Sequence, residues 1–191
     1  MSTSLTRPHL YTVAEYLELG ETENGYSELV EGRVFVTPSP AYRHNRGTFQ
    51  IGMQLEPQLP AGHAVVMDID VDLELAAAHE PGFCRRPDLV VVRHEAAARV
   101  DRDGGVLRAS EIVLALETVS PGSQRMDRVV KRSEYADAGI PHYWILDVTE
   151  PVSLVACHLA GEFGYADGGE VTGRFSTDAP FPLALDLDAL L

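Results

Sequence analysis

The order of apolar and polar positions along the chain predicts a succession of short helices and strands. Thr12 and Glu15 have the spacing of a capping box, which predicts a helix over TVAEYLELG that ends at Gly20. The apolar positions of YSELVEGRVFVTP predict two short strands around a turn at residues 31–32. The N-terminal part of the chain is therefore expected to form a helix and a hairpin.

A second helix is predicted to follow the hairpin and to reach about Leu59. Ser39 and Pro40 suit the cap and the first turn of such a helix. Gly47 and Gly52 lower its helix propensity.

The middle of the sequence contains apolar stretches that are typical of strands. From Val65 onwards, VVMDIDVDLEL alternates apolar and acidic residues, which predicts one half-solvated strand. PDLVVVRHE and EIVLALETVS are dense in Val, Ile and Leu, as in strands buried on both faces. A helix is predicted from about Gln124 to Ala138, and HYWILDV and SLVACHLA predict two further strands.

These elements predict an α/β fold in a single domain over residues 1–191. The core, over about residues 10–160, has the order helix, strand, strand, strand, helix, strand, preceded by the N-terminal helix and hairpin. Residues 161–191 are expected to form an extension, in which the Gly-, Asp- and Thr-rich residues 161–181 indicate an exposed hairpin or loop. Hydrophobic residues at 45% and charged residues at 23% agree with one globular domain.

Composition and charge narrow the classes of function. The sequence contains no apolar stretch long enough for a membrane span and no signal-peptide core, so we expect a cytoplasmic protein without a membrane partner. Cys84 and Cys157 lie outside any CxxC pattern and are expected to be buried thiols. The formal net charge is −14, so any face that binds nucleic acid has to be local.

Two acidic residues border or interrupt the apolar stretches in the middle of the chain. Asp88 opens the strand PDLVVV, and Glu117 lies near the carboxyl end of EIVLALETVS. If these strands are neighbours, the two carboxylates converge at an edge of the sheet, where their oxygens suit Mg²⁺. The alternative is that Asp88 caps a turn after Pro87 and Glu117 forms a salt bridge. With no cluster of cysteine or histidine, the sequence does not indicate structural zinc.

The helix predicted after the second carboxylate carries four cations, which are Arg125, Arg128, Lys131 and Arg132. Lys131 lies four residues after Asp127, so an ordinary ion pair along the helix is one interpretation. The other is that Lys131 points toward the carboxylates and stabilises negative charge during a reaction. The three arginines are then candidate phosphate contacts.

Five blocks of the sequence, in the same order, resemble the Uma-type family of restriction-endonuclease-like proteins in the PD-(D/E)XK nuclease superfamily. The blocks are YSELVEG at 26–32, Ser39-Pro40 with His44, PDLVVV at 87–92, ALETVSPGS at 115–123 and DRVVKRSEYADAGIPHYWILD at 127–147. The resemblance implies the restriction-endonuclease-like fold, a mixed β-sheet flanked by helices, which agrees with the element order derived above.

The resemblance also implies a metal-dependent phosphodiesterase centre. Asp88 and Glu117 match the acidic positions of the family and would hold Mg²⁺ or Mn²⁺. Val119 stands where the general superfamily pattern has its lysine, and Lys131 matches a lysine that the family takes from the following helix. Glu28 matches the N-terminal acidic residue of the family, which makes it a fourth catalytic candidate.

Two histidines complete the comparison with the family pattern. His44 matches a recurrent position and is a candidate contact to nucleic acid, whereas His142 stands where the family often has Glu. The implied function is a metal-dependent endonuclease that cuts nucleic acid, with DNA as the first candidate, and a homodimer would supply two sites for two strands. The competing hypothesis is a nuclease-fold protein that binds nucleic acid or a protein partner without cutting, which the acidic charge favours.

Overall fold

The computed structural model of the protein describes residues 9–20, 25–37, 39–120 and 122–191. Its helices and strands are α1 (Val13–Glu18), β1 (Tyr26–Val30), β2 (Arg33–Thr37), α2 (Tyr42–Leu55), β3 (His63–Met67), β4 (Val71–Asp72), β5 (Cys84–Arg85), β6 (Leu89–Arg93), α3 (His94–Asp103), β7 (Leu107–Arg108), β8 (Ile112–Val119), a π-helical segment (Met126–Lys131), α4 (Arg132–Asp137), β9 (His142–Asp147), β10 (Ser153–Leu159), β11 (Tyr165–Thr172), β12 (Arg174–Thr177) and β13 (Leu183–Asp186).

A six-stranded mixed sheet, in the order β11-β10-β9-β8-β6-β3, forms the centre of the fold. Strands β8 and β9 run parallel, and the other neighbours are antiparallel. Alternate residues of β6 belong to two separate core clusters: Leu89 and Val91 pack with helix α2, while Val90 and Val92 lie in the cluster that contains Tyr135 of α4. The expected mixed sheet between helices is confirmed, with the core order α2, β3, β6, β8, α4, β9.

The N-terminal helix and hairpin form as their sequence predicts. The Thr12 hydroxyl accepts a hydrogen bond from the Glu15 amide at 3.2 Å, and the Glu15 carboxylate accepts one from the Thr12 amide at 2.8 Å. The hairpin turns at Glu31 and Gly32, whose φ angles of 49° and 72° lie in the left-handed region. Strand β1 then continues a second sheet, in the order β2-β1-β5-β4-β7.

Two predictions about the middle of the chain are wrong. The apolar and acidic alternation from Val65 is not one strand, because Asp68 takes a φ of 49° and turns the chain from β3 in the central sheet to β4 in the second sheet. Helix α2 begins at Tyr42 with Ala41 as its N-cap, so the cap expected at Ser39 lies too early in the chain to reach the free helix amides.

The C-terminal residues are more regular than the expected exposed hairpin or loop. Strand β11 pairs with β10 along its length, because an edge strand needs only its backbone to pair and can carry exposed Gly and Asp. The hairpin of β12 and β13 packs its leucines into the core beside α2. Gln54 of α2 and Gln58, in the 3₁₀ turn that follows it (Glu56–Gln58), each exchange two hydrogen bonds with the backbone of β13, at 2.8–2.9 Å.

The remaining features of the fold bear on the expected compartment and partners. Both Cys84 and Cys157 are buried free thiols, as the sequence predicts. Within the part of the chain that the structure describes, no helix combines the length and the apolar character that crossing a membrane requires.

Candidate active site

The two candidate metal ligands lie side by side on neighbouring strands. Leu89 of β6 pairs with Leu116 of β8 in antiparallel register, so Asp88, directly before β6, lies next to Glu117 of β8. The carboxylate of Asp88 accepts a hydrogen bond from the Thr118 amide at 2.6 Å. Asp88 thus contacts the neighbouring strand rather than capping a local turn.

Lys131 lies in the π-helical segment and points into this site. Its side chain is buried, and its Nζ atom lies 2.9 Å from Glu117 Oε1 and 3.0 Å from Glu28 Oε1. Among the described residues these are its ion pairs, so Asp127 is not the partner that its helical spacing suggested. Burial alone would lower the pKa of Lys131, but the charges of Glu117 and Glu28 outweigh that effect and raise it.

Glu117 is the most deeply buried acid of the site, with 2% of its surface exposed. Lys131 Nζ and the Tyr135 hydroxyl, at 2.7 Å, both donate to its Oε1 atom. Burial raises the pKa of Glu117 well above its usual value, Lys131 opposes that rise, and the nearby Asp88 and Asp127 add to it. Within the described residues no side chain or amide donates to Oε2 of Glu117.

His44, in the first turn of α2, contacts Asp88 directly. Its Nε2 atom lies 3.0 Å from Asp88 Oδ1, and both side chains are largely buried. Burial lowers the pKa of His44, but the hydrogen bond and the charge of Asp88 outweigh it, so the pKa lies above the usual value. His44 therefore fixes the orientation of the carboxylate.

Glu28, on β1, has partners within the chain on both of its carboxylate oxygens. Its Oε2 atom accepts from Arg85 Nη1 at 2.7 Å, and its Oε1 atom accepts from the Arg86 amide at 3.1 Å and lies 3.0 Å from Lys131 Nζ. Burial raises the pKa of Glu28, whereas Lys131 and Arg85 lower it and prevail. Glu28 is thus held between Arg85 and Lys131, and its catalytic role stays a prediction.

Among the described contacts, none joins the three candidate phosphate-binding arginines to Asp88 or Glu117. Arg128 contacts Asp147 at 3.0 Å and Glu170 at 3.3 Å, and Arg132 contacts Asp167 at 2.6 Å, so both extend toward the carboxylates of β9 and β11. Arg125 is exposed at the start of the helix.

Comparisons with known proteins identify the family and the fold of the chain. The sequence matches the model of the family Uma2, described as "Putative restriction endonuclease", over residues 13–166. The chain belongs to the Uma2 family.

Among solved structures, the crystal structure of a "putative nuclease belonging to DUF820" from Anabaena variabilis is similar to this Uma2 protein. The two chains are 17% identical with a TM-score of 0.68, over 94% of this chain and 97% of the other. This likeness shows the shared fold. No curated protein matches the chain.

Sequence reasoning missed three polar residues of the site: Arg85, Asp127 and Tyr135. Asp127 and Tyr135 lie four residues before and after Lys131, so helical spacing alone could have placed them on its face. The composition contains a further signal for Lys131, which is the only lysine among the 15 basic residues. An ammonium and a guanidinium differ in shape and hydration, so a single lysine among arginines indicates a special environment.

The donor chemistry of the site fits a hard divalent cation. Within the described residues no three His, Cys, Asp or Glu side chains form a preformed ligand cluster. The carboxylates of Asp88 and Glu117 are nevertheless adjacent, and crowding by acidic neighbours contributes to the raised pKa values of Glu117 and Asp127. Asp88 and Glu117 are the residues that would hold Mg²⁺ or Mn²⁺, which would relieve this crowding.

Proposed function

We propose that this Uma2 protein is a metal-dependent endonuclease that hydrolyses phosphodiester bonds in nucleic acid, with DNA as the first substrate to test. The observation that carries the proposal is the buried Lys131 ammonium, 2.9 Å from Glu117, beside Asp88 on the neighbouring strand. Burying a cation and several acids costs desolvation free energy. Such buried groups of charges are common at functional sites. The family match supports a nuclease.

The roles follow from the contacts of each side chain. Asp88 and Glu117 would hold Mg²⁺ or Mn²⁺, which would supply Lewis-acid chemistry for a phosphate and a water of lowered pKa. Lys131 supplies a fixed positive charge next to Glu117, where it orients water and stabilises negative charge as it develops. The Thr118 amide and His44 hold one oxygen each of Asp88, so that this carboxylate keeps one orientation.

Contacts to the nucleic acid are proposed for Arg125, Arg128, Arg132 and His44. Arg125 is exposed and can reach a phosphate directly. Arg128 and Arg132 would have to exchange their carboxylate partners for phosphates. A cytoplasmic homodimer, which would supply two sites for two strands, belongs to the same proposal, and sedimentation of the protein would test it.

A cleavage screen tests the proposal. Single- and double-stranded DNA and RNA are incubated with Mg²⁺ or Mn²⁺, and Asp88→Asn, Glu117→Gln, Lys131→Met and Lys131→Arg are each expected to lower the rate about 100-fold or more. Matched controls are Asp103→Asn and Glu150→Gln, whose side chains are 51% and 69% exposed. Cleavage that survives in both Asp88→Asn and Glu117→Gln would overturn the site assignment.

A second candidate function is binding of nucleic acid or a protein partner without cleavage. The net charge of −14 and the ion pairs of Arg128 and Arg132 favour a protein partner in particular, because they leave little positive surface near the site for nucleic acid. Calorimetric titration with Mn²⁺ separates the two functions. Binding that is lost in Glu117→Gln supports the nuclease, and no binding together with no cleavage supports the second candidate.

A further inference from the structure

A buried chain of alternating charges connects helix α4 to the candidate metal site. In order, its members are Glu134, Arg85, Glu28, Lys131 and Glu117. Each contact along the chain lies between 2.7 and 3.0 Å. With every member ionised, three acids and two bases leave one surplus negative charge, and Glu117, at the inner end, is the acid proposed as a metal ligand.

Arg85 is the member that ties the second sheet to the helices. It lies on β5 and is only 2% exposed. Its Nε and Nη2 atoms donate to the two oxygens of Glu134 at 2.7 and 2.8 Å, while its Nη1 atom donates to Glu28 at 2.7 Å. A planar guanidinium can hold two carboxylates at a fixed angle, which a lysine ammonium cannot do with the same precision.

The position of Lys131 depends on what holds Glu28. Its ammonium lies between two carboxylates, Glu28 and Glu117, at nearly equal distances. Glu28 keeps its place through Arg85 on one oxygen and the Arg86 amide on the other. If Arg85 is removed, Glu28 keeps the Arg86 amide but loses one of its two charged partners, and it can then turn about the remaining contacts and carry the ammonium with it.

We propose that Arg85 is a positioning residue, which fixes Glu28 and thereby holds the Lys131 ammonium against Glu117. The value of this arrangement for catalysis rests on the proposed nuclease function. The placement of the ammonium does not, because it can be measured without metal or nucleic acid.

The single lysine of the chain makes its placement measurable. An N-hydroxysuccinimide ester acylates amines, and in this sequence the only side-chain amine is that of Lys131. In the full-length native protein, mass spectrometry of the Lys131 peptide then reports how often the side chain leaves its carboxylates, gives up a proton to solvent and reacts with the reagent as the neutral amine. We expect slow acylation in the wild type and about tenfold or more faster acylation in Arg85→Met and in Glu28→Gln.

A matched control separates positioning from general loosening of the fold. Arg99 forms a similar two-pronged ion pair with Glu111, at 2.6 and 2.7 Å, outside the site. Arg99→Met is expected to leave Lys131 acylation within about twofold of the wild type. Equal acylation in Arg85→Met and Arg99→Met would overturn the proposal.

Two milder variants keep the test decisive if Arg85→Met does not fold. Glu134→Gln leaves Arg85 in place but weakens its anchor, and Glu134 is partly exposed. We expect this variant to raise Lys131 acylation severalfold and Arg85→Lys to restore part of the protection. If Lys131 is as well protected in both as in the wild type, Arg85 does not position it.

Cleavage kinetics then test the catalytic consequence. With DNA and Mn²⁺, Arg85→Lys is expected to lower kcat about tenfold with little change in KM, because Lys131 is misplaced while the binding surface is retained. Faster acylation in a protein whose wild type cuts nothing would support the placement and reject the nuclease. Unchanged acylation would reject the placement, whatever the cleavage result.

Discussion

At the scale of single residues, the buried hydroxyl of Tyr135 is a hydrogen-bond donor to a buried acid. It donates to Glu117 Oε1 at 2.7 Å, on the same oxygen that Lys131 holds. A buried carboxylate is costly unless donors compensate for the water it has lost. The hydroxyl therefore stabilises the charge of Glu117.

Replacing Tyr135 with Phe should lower the free energy of unfolding by about 2–3 kcal/mol, because a hydrogen bond to a buried charged group is lost. Tyr165 provides a matched control, since its hydroxyl donates to the uncharged Ile140 carbonyl at the same 2.7 Å. Tyr165→Phe should cost about 1 kcal/mol. Urea unfolding at neutral pH measures both values, and an equal or larger loss in Tyr165→Phe would contradict this account of Glu117.

Residue types and spacing predict only part of the site. The apolar stretches around Asp88 and Glu117 place both acids on neighbouring strands, and the family resemblance selects Lys131. No local pattern reveals that Lys131 pairs with Glu28 rather than with Asp127, because helical spacing favours the local partner equally well. Arg85 could not be predicted either, since its partners Glu28 and Glu134 come from two separate elements, β1 and α4, that are distant from it in sequence.

At the scale of elements, local burial determines what the sequence can predict. Strands β6 and β8 are buried along nearly all their length, so their composition alone identifies them. The second sheet is assembled from pairings between distant short strands, such as Leu29 of β1 with Cys84 of β5. An alternating apolar and acidic segment also has the same pattern whether the chain continues straight or turns at Asp68.

Gly47 lies inside helix α2 although glycine has a poor helix propensity, and the packing around it gives the reason. A Cβ atom at Gly47 would lie 2.6 Å from Val148 Cγ1, which is closer than two carbon atoms can pack. Gly47→Ala should therefore lower the free energy of unfolding by about 1–3 kcal/mol, although alanine favours helices.

The double variant Gly47→Ala/Val148→Ala tests this explanation by removing the obstructing methyl groups. Thermal and urea unfolding should show that it recovers part of the stability lost in Gly47→Ala, after allowance for the effect of Val148→Ala alone. Strictly additive losses would mean that the two side chains do not compete for space.

At the scale of the whole molecule, the acidic surplus and the buried tyrosines determine how pH acts on stability. Four tyrosines among the described residues have a raised pKa, with burial as the largest cause: Tyr16 (to about 12), Tyr135, Tyr143 and Tyr165. Above pH 10 an unfolded tyrosine loses its proton, whereas these folded tyrosines keep theirs. The folded state then binds more protons than the unfolded state, so stability falls as the pH rises.

Tyr16→Phe should make this alkaline loss smaller. The urea midpoint of the wild type is expected to fall between about pH 9 and about pH 11, and the midpoint of Tyr16→Phe should fall less, because one of the tyrosines is gone. Tyr42, which is 81% exposed, supplies the control, and Tyr42→Phe should fall as far as the wild type. A parallel fall in all three proteins would mean that Tyr16 keeps an ordinary pKa.

The family match and the hydrophobic core end at different residues, and the C-terminal hairpin lies between the two ends. The family match ends at residue 166, the second residue of β11, whereas buried side chains that complete the core continue to Leu190. A chain cut where the match ends would lose an edge strand and uncover the apolar surface beneath β13. In this molecule the stretch by which kinship is recognised is shorter than the stretch that supplies the core, so a boundary drawn by ancestry alone would cut through packed side chains.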